Sequence, residues 1–162
     1  MNENYPKKKV ALFGSTGSIG TQALDVIKSN QDIFEVEILT AHTNEELLIK
    51  QALEFKPNAV VIVDESKYDT LKSALSSTDI KVFSGEAALE EVADFDTYDV
   101  MIAAIVGFAG LKPTLKAVEK GKTIALANKE TLVVAGDIVM QKAFENKSRS
   151  EEHTSELQSR GL

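Results

Sequence analysis

Short apolar runs alternate with longer segments of helical period along most of this 162-residue chain, and this alternation restricts its fold more than any other feature. Several of the runs are apolar on both faces, as strands buried in a parallel sheet are. The six runs span residues 9–14, 34–41, 59–64, 80–85, 99–107 and 122–128. The pattern predicts an α/β fold: a Rossmann-like, doubly wound, mostly parallel sheet of about six strands with helices on both faces.

Helices are predicted between the runs, over residues 18–29, 44–55, 65–76, 86–92, 112–120 and 129–145. In the first of them the apolar residues expected on one side are Ile19, Ala23, Val26 and Ile27. The second is expected to begin with Asn44 as its cap, because asparagine is among the best N-cap residues.

The composition argues against several classes of protein. The formal net charge is −7, whereas binders of nucleic acid or of anionic membranes present a basic face. The chain has no cysteine, which excludes disulfides, thiolate metal sites and a cysteine nucleophile. No apolar stretch approaches the ~18 residues of a spanning helix, and no export signal is recognised. We expect a cytoplasmic protein that binds neither nucleic acid nor membranes.

The last segment departs from the alternation. Residues 149–162 are polar and aperiodic, and "RSEEHTSELQS" resembles the in-frame translation of a common sequencing adapter. The alternative is an ordinary frayed C-terminus. We therefore expect one Rossmann-like domain over residues 1–148 and a disordered, non-native tail over residues 149–162.

Three glycines, Gly14, Gly17 and Gly20, lie between the first predicted strand and the first predicted helix. Glycines at this position let the backbone turn sharply and let N–H groups approach an anion at the helix N-terminus. Thr16 and Ser18 add hydroxyl donors. The stretch predicts a dinucleotide phosphate site, and the alternative is a tight turn that binds no ligand.

The end of the second predicted strand bears on which dinucleotide would bind. NAD sites usually place Asp or Glu about 20 residues beyond the glycines, on the ribose 2′-OH. Here the chain offers Thr40, Ala41, His42, Thr43 and Asn44, without a carboxylate. Donors in this turn favour NADP over NAD, although an exposed histidine and a helix-capping asparagine would also explain the residues.

A polar triplet, Asn128, Lys129 and Glu130, follows the sixth predicted strand. Ligands of parallel α/β sheets bind at the carboxyl ends of the strands, so these residues are candidates for ligand contact. In the alternative interpretation Asn128 caps the next helix, Glu130 complements its dipole and Lys129 is solvated.

Four motifs together are more specific than any one of them. They are "GSTGSIG" with "LDVI", "AHTN", "AAIVG.AGL.PTL.A" and "GK.IALANKE.LV", within residues 9–147. With them the chain resembles the 1-deoxy-D-xylulose 5-phosphate reductoisomerase family. The resemblance implies an N-terminal NADPH-binding domain of an oxidoreductase. That enzyme rearranges 1-deoxy-D-xylulose 5-phosphate and reduces the product to 2-C-methyl-D-erythritol 4-phosphate, an isoprenoid precursor.

The resemblance also assigns roles to individual residues. Contacts with the cofactor pyrophosphate and adjoining groups are implied for Thr16, Gly17, Ser18 and Ile19. The adenosine ribose and its 2′-phosphate would be surrounded by Ala41, His42, Thr43 and Asn44. Asn128 and Glu130 would contact the nicotinamide half, and Lys129 the phosphosugar substrate.

Two departures from the family pattern matter. Thr43 is uncharged, where some members have a basic residue. The family uses a divalent cation, Mg or Mn, held by carboxylates in a later segment that the chain does not contain. We therefore expect no metal ligand in this chain and no activity from it alone. The full-length members of the family are expected to be homodimers.

Other enzyme classes fit less well. An aspartate-semialdehyde dehydrogenase needs a cysteine, and a nucleotide-sugar epimerase needs a Tyr-x-x-x-Lys pair in its site. Only Tyr5 with Lys9 and Tyr68 with Lys72 have that spacing, and both lie away from any plausible site. A non-catalytic NAD(P)-binding module, or another NADP-dependent oxidoreductase, stays open as the alternative.

Overall fold

The computed structural model describes residues 5–127, 144–145 and 149–150. Within them the strands are β1 (Lys8–Phe13), β2 (Phe34–Ala41), β3 (Ala59–Ile62), β4 (Lys81–Ser84), β5 (Val100–Ala103), β6 (Thr123–Leu126) and β7 (Arg149–Ser150). The α-helices with described bounds are α1 (Ser18–Lys28), α2 (Glu45–Phe55), α3 (Tyr68–Ala74), α4 (Glu86–Ala93) and α5 (Leu111–Glu119). None of the helices in this part of the chain is long and apolar enough to cross a membrane.

The strands form a single sheet in the order β4-β3-β2-β1-β5-β6-β7, and every neighbouring pair is parallel. The order reverses at β1, which pairs with β2 on one side and β5 on the other. The predicted Rossmann-like sheet of about six parallel strands is confirmed, and the two-residue β7 extends its edge. β7 consists of the first two residues of the tail that is expected to be disordered, and residues 151–162 lie outside the described residues. The division at residue 148 therefore stays a prediction.

Helices cover both faces of the sheet, as the alternation predicts. On one face, residues of α1, α2 and α3 pack on the sheet, with Leu24, Leu48 and Leu71 in a single apolar cluster. On the other face, residues of α4 and α5 form a second cluster, which includes Leu89 and Val118. The strands contribute alternate residues to the two clusters, so the sheet is buried on both sides.

The buried side of α1 matches the expected one only in part: Ile27 is buried and Ala23 packs against the apolar cluster, as predicted. Ile19 and Val26 are exposed, and the buried residues are Gly20, Leu24 and Ile27. The spacing of four and three residues between these positions defines one face of a helix. Gly20 determines which face of α1 is turned inward, because only a residue without a side chain fits where the helix crosses the backbone of Gly14.

Two predicted elements are shorter than expected. The segment 65–76 forms a 3-10 turn, Glu65–Lys67, before α3 begins at Tyr68. The apolar run 99–107 continues past the end of β5 at Ala103 into a loop and a second 3-10 turn, Gly107–Gly110. Apolarity therefore persists in this loop where the strand has already ended.

Tyr98 lies at the amino-terminal ends of the strands, just before β5 begins. Its buried hydroxyl donates to the Ala93 carbonyl oxygen at 2.6 Å, and the Lys122 ammonium lies 4.6 Å from its ring centre. Burial raises the pKa of the Tyr98 hydroxyl above its ordinary value, because the charged phenolate is disfavoured away from water.

Candidate functional site

A cleft of about 550 Å³ opens at the carboxyl edge of the sheet, where the order of the strands reverses. In open α/β sheets, ligands bind at this switch point. The cleft is lined by Gly14, Thr16, Gly17, Thr40, Ala41, His42, Val63, Glu86, Leu89, Ala104, Ile105, Val106 and Ala109.

The glycine loop leaves β1 through a sharp turn at Gly14. Its φ of +89° favours glycine, and a Cβ there would lie 2.8 Å from the Ala104 carbonyl oxygen. The Gly14 N–H group donates to Thr40 Oγ1 at 3.0 Å, and the Ser15 N–H group donates to the Thr40 carbonyl oxygen at 2.8 Å. The loop is therefore fastened to the end of β2.

The other two glycines have opposite surroundings. A Cβ on Gly20 would lie 2.1 Å from the Gly14 carbonyl oxygen, so this glycine is required for close packing of α1. A Cβ on Gly17 would meet only the Gly14 carbonyl oxygen, at 3.9 Å. The backbone at Gly17 thus borders open space in the cleft.

Gly17 is also the N-cap of α1, with no side-chain hydrogen bond at the cap and no acidic residue in the first turn. The first N–H groups of a helix have no partners within it, and they carry a partial positive charge. The donors at the start of α1 therefore meet no acidic side chain of the helix itself, while the Glu86 carboxylate lines the same cleft.

A buried pair of polar side chains lies beneath the loop. The Ser15 hydroxyl donates to Gln51 Oε1 at 2.7 Å, and Gln51 Nε2 donates to the Ser15 carbonyl oxygen at 2.9 Å. Ser15 is fully buried and Gln51 is 5% exposed. The sequence does not predict this pair, because no local pattern links residues that lie 36 positions apart.

The turn between β2 and α2 forms the second polar wall. Ala41 is buried and also lines the cleft, while His42, Thr43 and Asn44 are exposed. Asn44 Oδ1 accepts from the Leu47 N–H group at 3.1 Å, which confirms its predicted capping role. The carbonyl oxygens of Ala41 and His42 accept from the N–H groups of Val63 and Asp64.

Asp64 brings a carboxylate to this turn from the end of another strand, because its N–H group donates to the His42 carbonyl oxygen. The hydroxyl and the backbone N–H group of Ser66 donate to Asp64 Oδ1 at 2.6 and 3.0 Å and lower the pKa of the carboxyl. Nearby Lys67 and His42 lower the pKa further. Asp64 is therefore ionised at neutral pH, beside a turn that otherwise offers donors.

The apolar wall of the cleft was not predicted from the sequence to contact a ligand. It combines Val63 and Leu89 with the loop that follows β5, in which Val106 is 85% exposed. The signal available in the sequence was the apolar run that outlasts β5. An apolar wall facing polar donors suits a ligand with an aromatic part and a charged part.

The structure brings some of the predicted site residues together. Gly14, Thr16, Gly17, Ala41 and His42 line the cleft, whereas the other predicted residues within residues 5–127 do not. Those others are Ser18, Ile19, Gly20, Thr43 and Asn44.

The predicted contacts at Asn128, Lys129 and Glu130 lie outside the described residues. Among the described residues, no group of three or more His, Asp or Glu side chains could hold a metal ion.

The family model for 1-deoxy-D-xylulose 5-phosphate reductoisomerase matches residues 10–136. A reductoisomerase of that name from Bacteroides fragilis is 54% identical over 143 residues, which are 88% of this chain and 37% of that protein. The Porphyromonas gingivalis protein is 50% identical over 140 residues, covering 86% of this chain and 36% of its own length. The chain thus spans about 37% of the length of these relatives.

Solved structures show the same likeness. The Zymomonas mobilis 1-deoxy-D-xylulose 5-phosphate reductoisomerase in complex with NADPH has a TM-score of 0.85 and 41% identity, over 90% of this chain and 38% of that one. A reductoisomerase with fosmidomycin and magnesium has a TM-score of 0.83 and 36% identity, over 87% of this chain and 35% of that one. A homoserine dehydrogenase from Thiobacillus denitrificans, at 16% identity and a TM-score of 0.52, shares the fold alone.

Proposed function

Because the chain belongs to the 1-deoxy-D-xylulose 5-phosphate reductoisomerase family, we propose that it is the NADPH-binding part of such an enzyme. The whole enzyme would convert 1-deoxy-D-xylulose 5-phosphate to 2-C-methyl-D-erythritol 4-phosphate. The observation that carries the proposal is the open backbone at Gly17. It lies at the uncapped N-terminus of α1, in one cleft with the turn after β2.

The residues of the cleft fit the cofactor. The pyrophosphate would lie against Thr16, Gly17 and Ser18, where helix N–H groups and hydroxyls are available as donors. Ile19 would complete this contact in the first turn of α1, while Gly14 and Gly20 would shape the loop that holds the cofactor. No acidic residue in the first turn opposes an anion there.

The 2′-phosphate would lie at the turn after β2, against Ala41, His42, Thr43 and Asn44. His42, Thr43 and Asn44 are exposed and offer donors to an anion. The ionised Asp64 next to this turn works against the assignment, since like charges repel. The preference of the chain for NADPH over NADH therefore measures whether attraction by the donors of the turn exceeds repulsion by Asp64. We expect the attraction to be larger.

The remaining roles rest on the family resemblance. Asn128 and Glu130 would contact the nicotinamide half, and Lys129 would donate to oxygens of the phosphosugar substrate. When bound, NADPH supplies the hydride for the reduction. The divalent cation of the family would be held by carboxylates that this chain does not supply. A homodimer is part of the same proposal, and the absence of cysteine suits a cytoplasmic enzyme.

Calorimetric titration of the 162-residue chain with NADPH and with NADH tests the cofactor assignment. We expect NADPH to bind at least about tenfold more tightly, because charge-assisted hydrogen bonds to the 2′-phosphate contribute about 1.5–3 kcal/mol each. Equal affinities would contradict the 2′-phosphate site. A preference for NADH would instead point to Asp64 as the acidic partner of an unphosphorylated ribose.

A further inference from the structure

We propose that Gln51 is a positioning residue for cofactor binding: from helix α2 it holds the glycine loop in the shape that presents Thr16 to Ser18 to the pyrophosphate. The inference rests on the proposed function, because the loop needs a fixed shape only if it binds a ligand. It is carried by the two reciprocal hydrogen bonds between Gln51 and Ser15, at 2.7 and 2.9 Å.

Ser15 directs all of its hydrogen-bonding groups toward the protein. Its N–H group donates to the Thr40 carbonyl oxygen, its hydroxyl donates to Gln51, and its carbonyl oxygen accepts from Gln51. Ser15 is fully buried, so no group of this serine faces a ligand. In a motif that also contains Thr16 and Ser18, Ser15 is therefore the anchor of the loop.

Gln51 can serve as a fixed support because α2 is itself immobilised by packing. Its neighbours on the buried face, Leu48 and Ala52, are fully buried in the apolar cluster beneath the sheet. The Gln51 amide uses one donor and one acceptor on Ser15, which defines its orientation. A shift of the loop would break both bonds at once.

Removal of the Gln51 amide leaves two polar groups of Ser15 buried without partners. Burying polar groups without partners costs free energy, so a loop conformation that exposes them to water becomes more favourable. Donors that must match a pyrophosphate geometrically then lose their alignment. The turn after β2 is fastened separately, through the Val63 and Asp64 N–H groups, and it keeps its shape.

The test compares two ligands on Gln51→Leu and on the parent 162-residue chain. NADPH contains the pyrophosphate, whereas adenosine 2′-monophosphate contains the 2′-phosphate without it. We expect Gln51→Leu to weaken NADPH binding by about tenfold and to leave the affinity for adenosine 2′-monophosphate within about twofold. Both affinities are measured by calorimetry, with ligand-observed NMR for the weaker ligand.

Tyr98→Phe is the matched control. It removes one buried hydrogen bond, to the Ala93 carbonyl oxygen, at the opposite edge of the sheet. We expect it to lower the melting temperature without changing the affinity for NADPH. Ser15→Ala removes only the hydroxyl bond, and a loss of about threefold in NADPH affinity supports the proposal even if Gln51→Leu does not fold.

Three results would overturn the inference. Unchanged NADPH affinity in a folded Gln51→Leu protein means that the amide does not position the loop. Equal losses for both ligands mean that Gln51 supports the fold in general. A parent chain that binds no NADPH overturns the proposed function together with this inference, and that failure is seen before any variant is made.

Discussion

Gly14, Gly17 and Gly20 are evenly spaced in the chain, yet each is needed for a different reason. Gly14 makes a turn with positive φ, Gly20 lets α1 touch the loop backbone, and Gly17 keeps the cleft open. Only the last of these reasons involves a ligand. Substitutions at Gly17 and Gly20 should therefore separate binding from folding.

We expect Gly17→Val to abolish tight NADPH binding and to leave the protein folded. The φ and ψ of Gly17 are −77° and 175°, which valine adopts readily, and its Cβ finds free space. The cost in stability is about 1 kcal/mol, since valine is a poor N-cap. The affinity falls by more than about tenfold, because the side chain occupies the place of the pyrophosphate. Calorimetry and thermal unfolding measure the two effects, and undiminished binding would show that the phosphate lies elsewhere.

Gly20→Ala should have the opposite result. Alanine in place of a helical glycine normally stabilises a protein by about 1 kcal/mol. Here its Cβ would lie 2.1 Å from the Gly14 carbonyl oxygen and 2.7 Å from Ser15 Cα, both backbone atoms that cannot rotate away. We expect a loss of about 3 kcal/mol in the free energy of unfolding, measured with urea. A stabilised variant would mean that α1 moves away from the loop without cost.

Among the secondary-structure elements, α2 combines two tasks at its first residues. Asn44 caps the helix through the Leu47 N–H group, and it is also proposed to contact the 2′-phosphate. The two tasks differ in their chemistry, because capping needs an oxygen acceptor and binding of a phosphate needs a donor.

Two substitutions separate these tasks. Asn44→Ala should lower the free energy of unfolding by about 1 kcal/mol through loss of the cap. Asn44→Asp should keep the cap but weaken NADPH by about fivefold, through repulsion of the 2′-phosphate, while NADH affinity is unchanged. Chemical denaturation and titration with both cofactors provide the measurements. An equal effect of Asn44→Asp on NADPH and NADH would remove Asn44 from the proposed 2′-phosphate site.

The sequence predicts these elements well because each of them is encoded locally. Apolar runs become strands, and Asn44 begins α2 as a cap-forming residue should. The buried face of α1 was not predictable in the same way. It depends on the contact between Gly20 and Gly14, whereas periodicity alone puts the exposed Ile19 and Val26 on the same side as the buried Ile27.

The candidate site also combines features that a local pattern predicts with contacts between distant residues that it does not predict. The glycine loop and the turn after β2 were identified from local patterns, and both line the cleft. Val63, Leu89 and Gln51 were missed because they reach the site from other elements, through packing that no short motif records. Asp64 was missed because it follows β3 rather than β2, and only the parallel pairing brings these two strand ends together.

For the whole molecule, the expected activity depends on how much of the length of its relatives the chain covers. The chain spans about 37% of the length of the Bacteroides fragilis relative. We expect the 162-residue chain to bind NADPH without oxidising it in the presence of 1-deoxy-D-xylulose 5-phosphate and magnesium or manganese. Positioning of reactants alone can contribute about 7–11 kcal/mol to catalysis, and much of the relatives' chain has no counterpart here.

The activity is followed by the absorbance of NADPH, on the full chain and on a version that ends at Lys147. Both should bind NADPH equally well if residues 149–162 are not part of the native protein. Metal-dependent turnover by the full chain that is lost on trimming would show that the tail supplies functional residues.

The position of β1 at the centre of the sheet has a consequence for synthesis on the ribosome. The backbone of Lys9 bonds to Asp99, 90 residues later, so β5 emerges long after β1 and β2 can pair. At about 5–20 residues per second, the second edge of β1 stays open for about 5–20 seconds. The apolar cluster of α1, α2 and α3 can form during that interval, whereas the opposite face of the sheet also needs α5, which follows β5 in the chain. β1 thus keeps one unpaired edge until β5 emerges, and this edge is where the nascent protein needs protection from pairing with other chains.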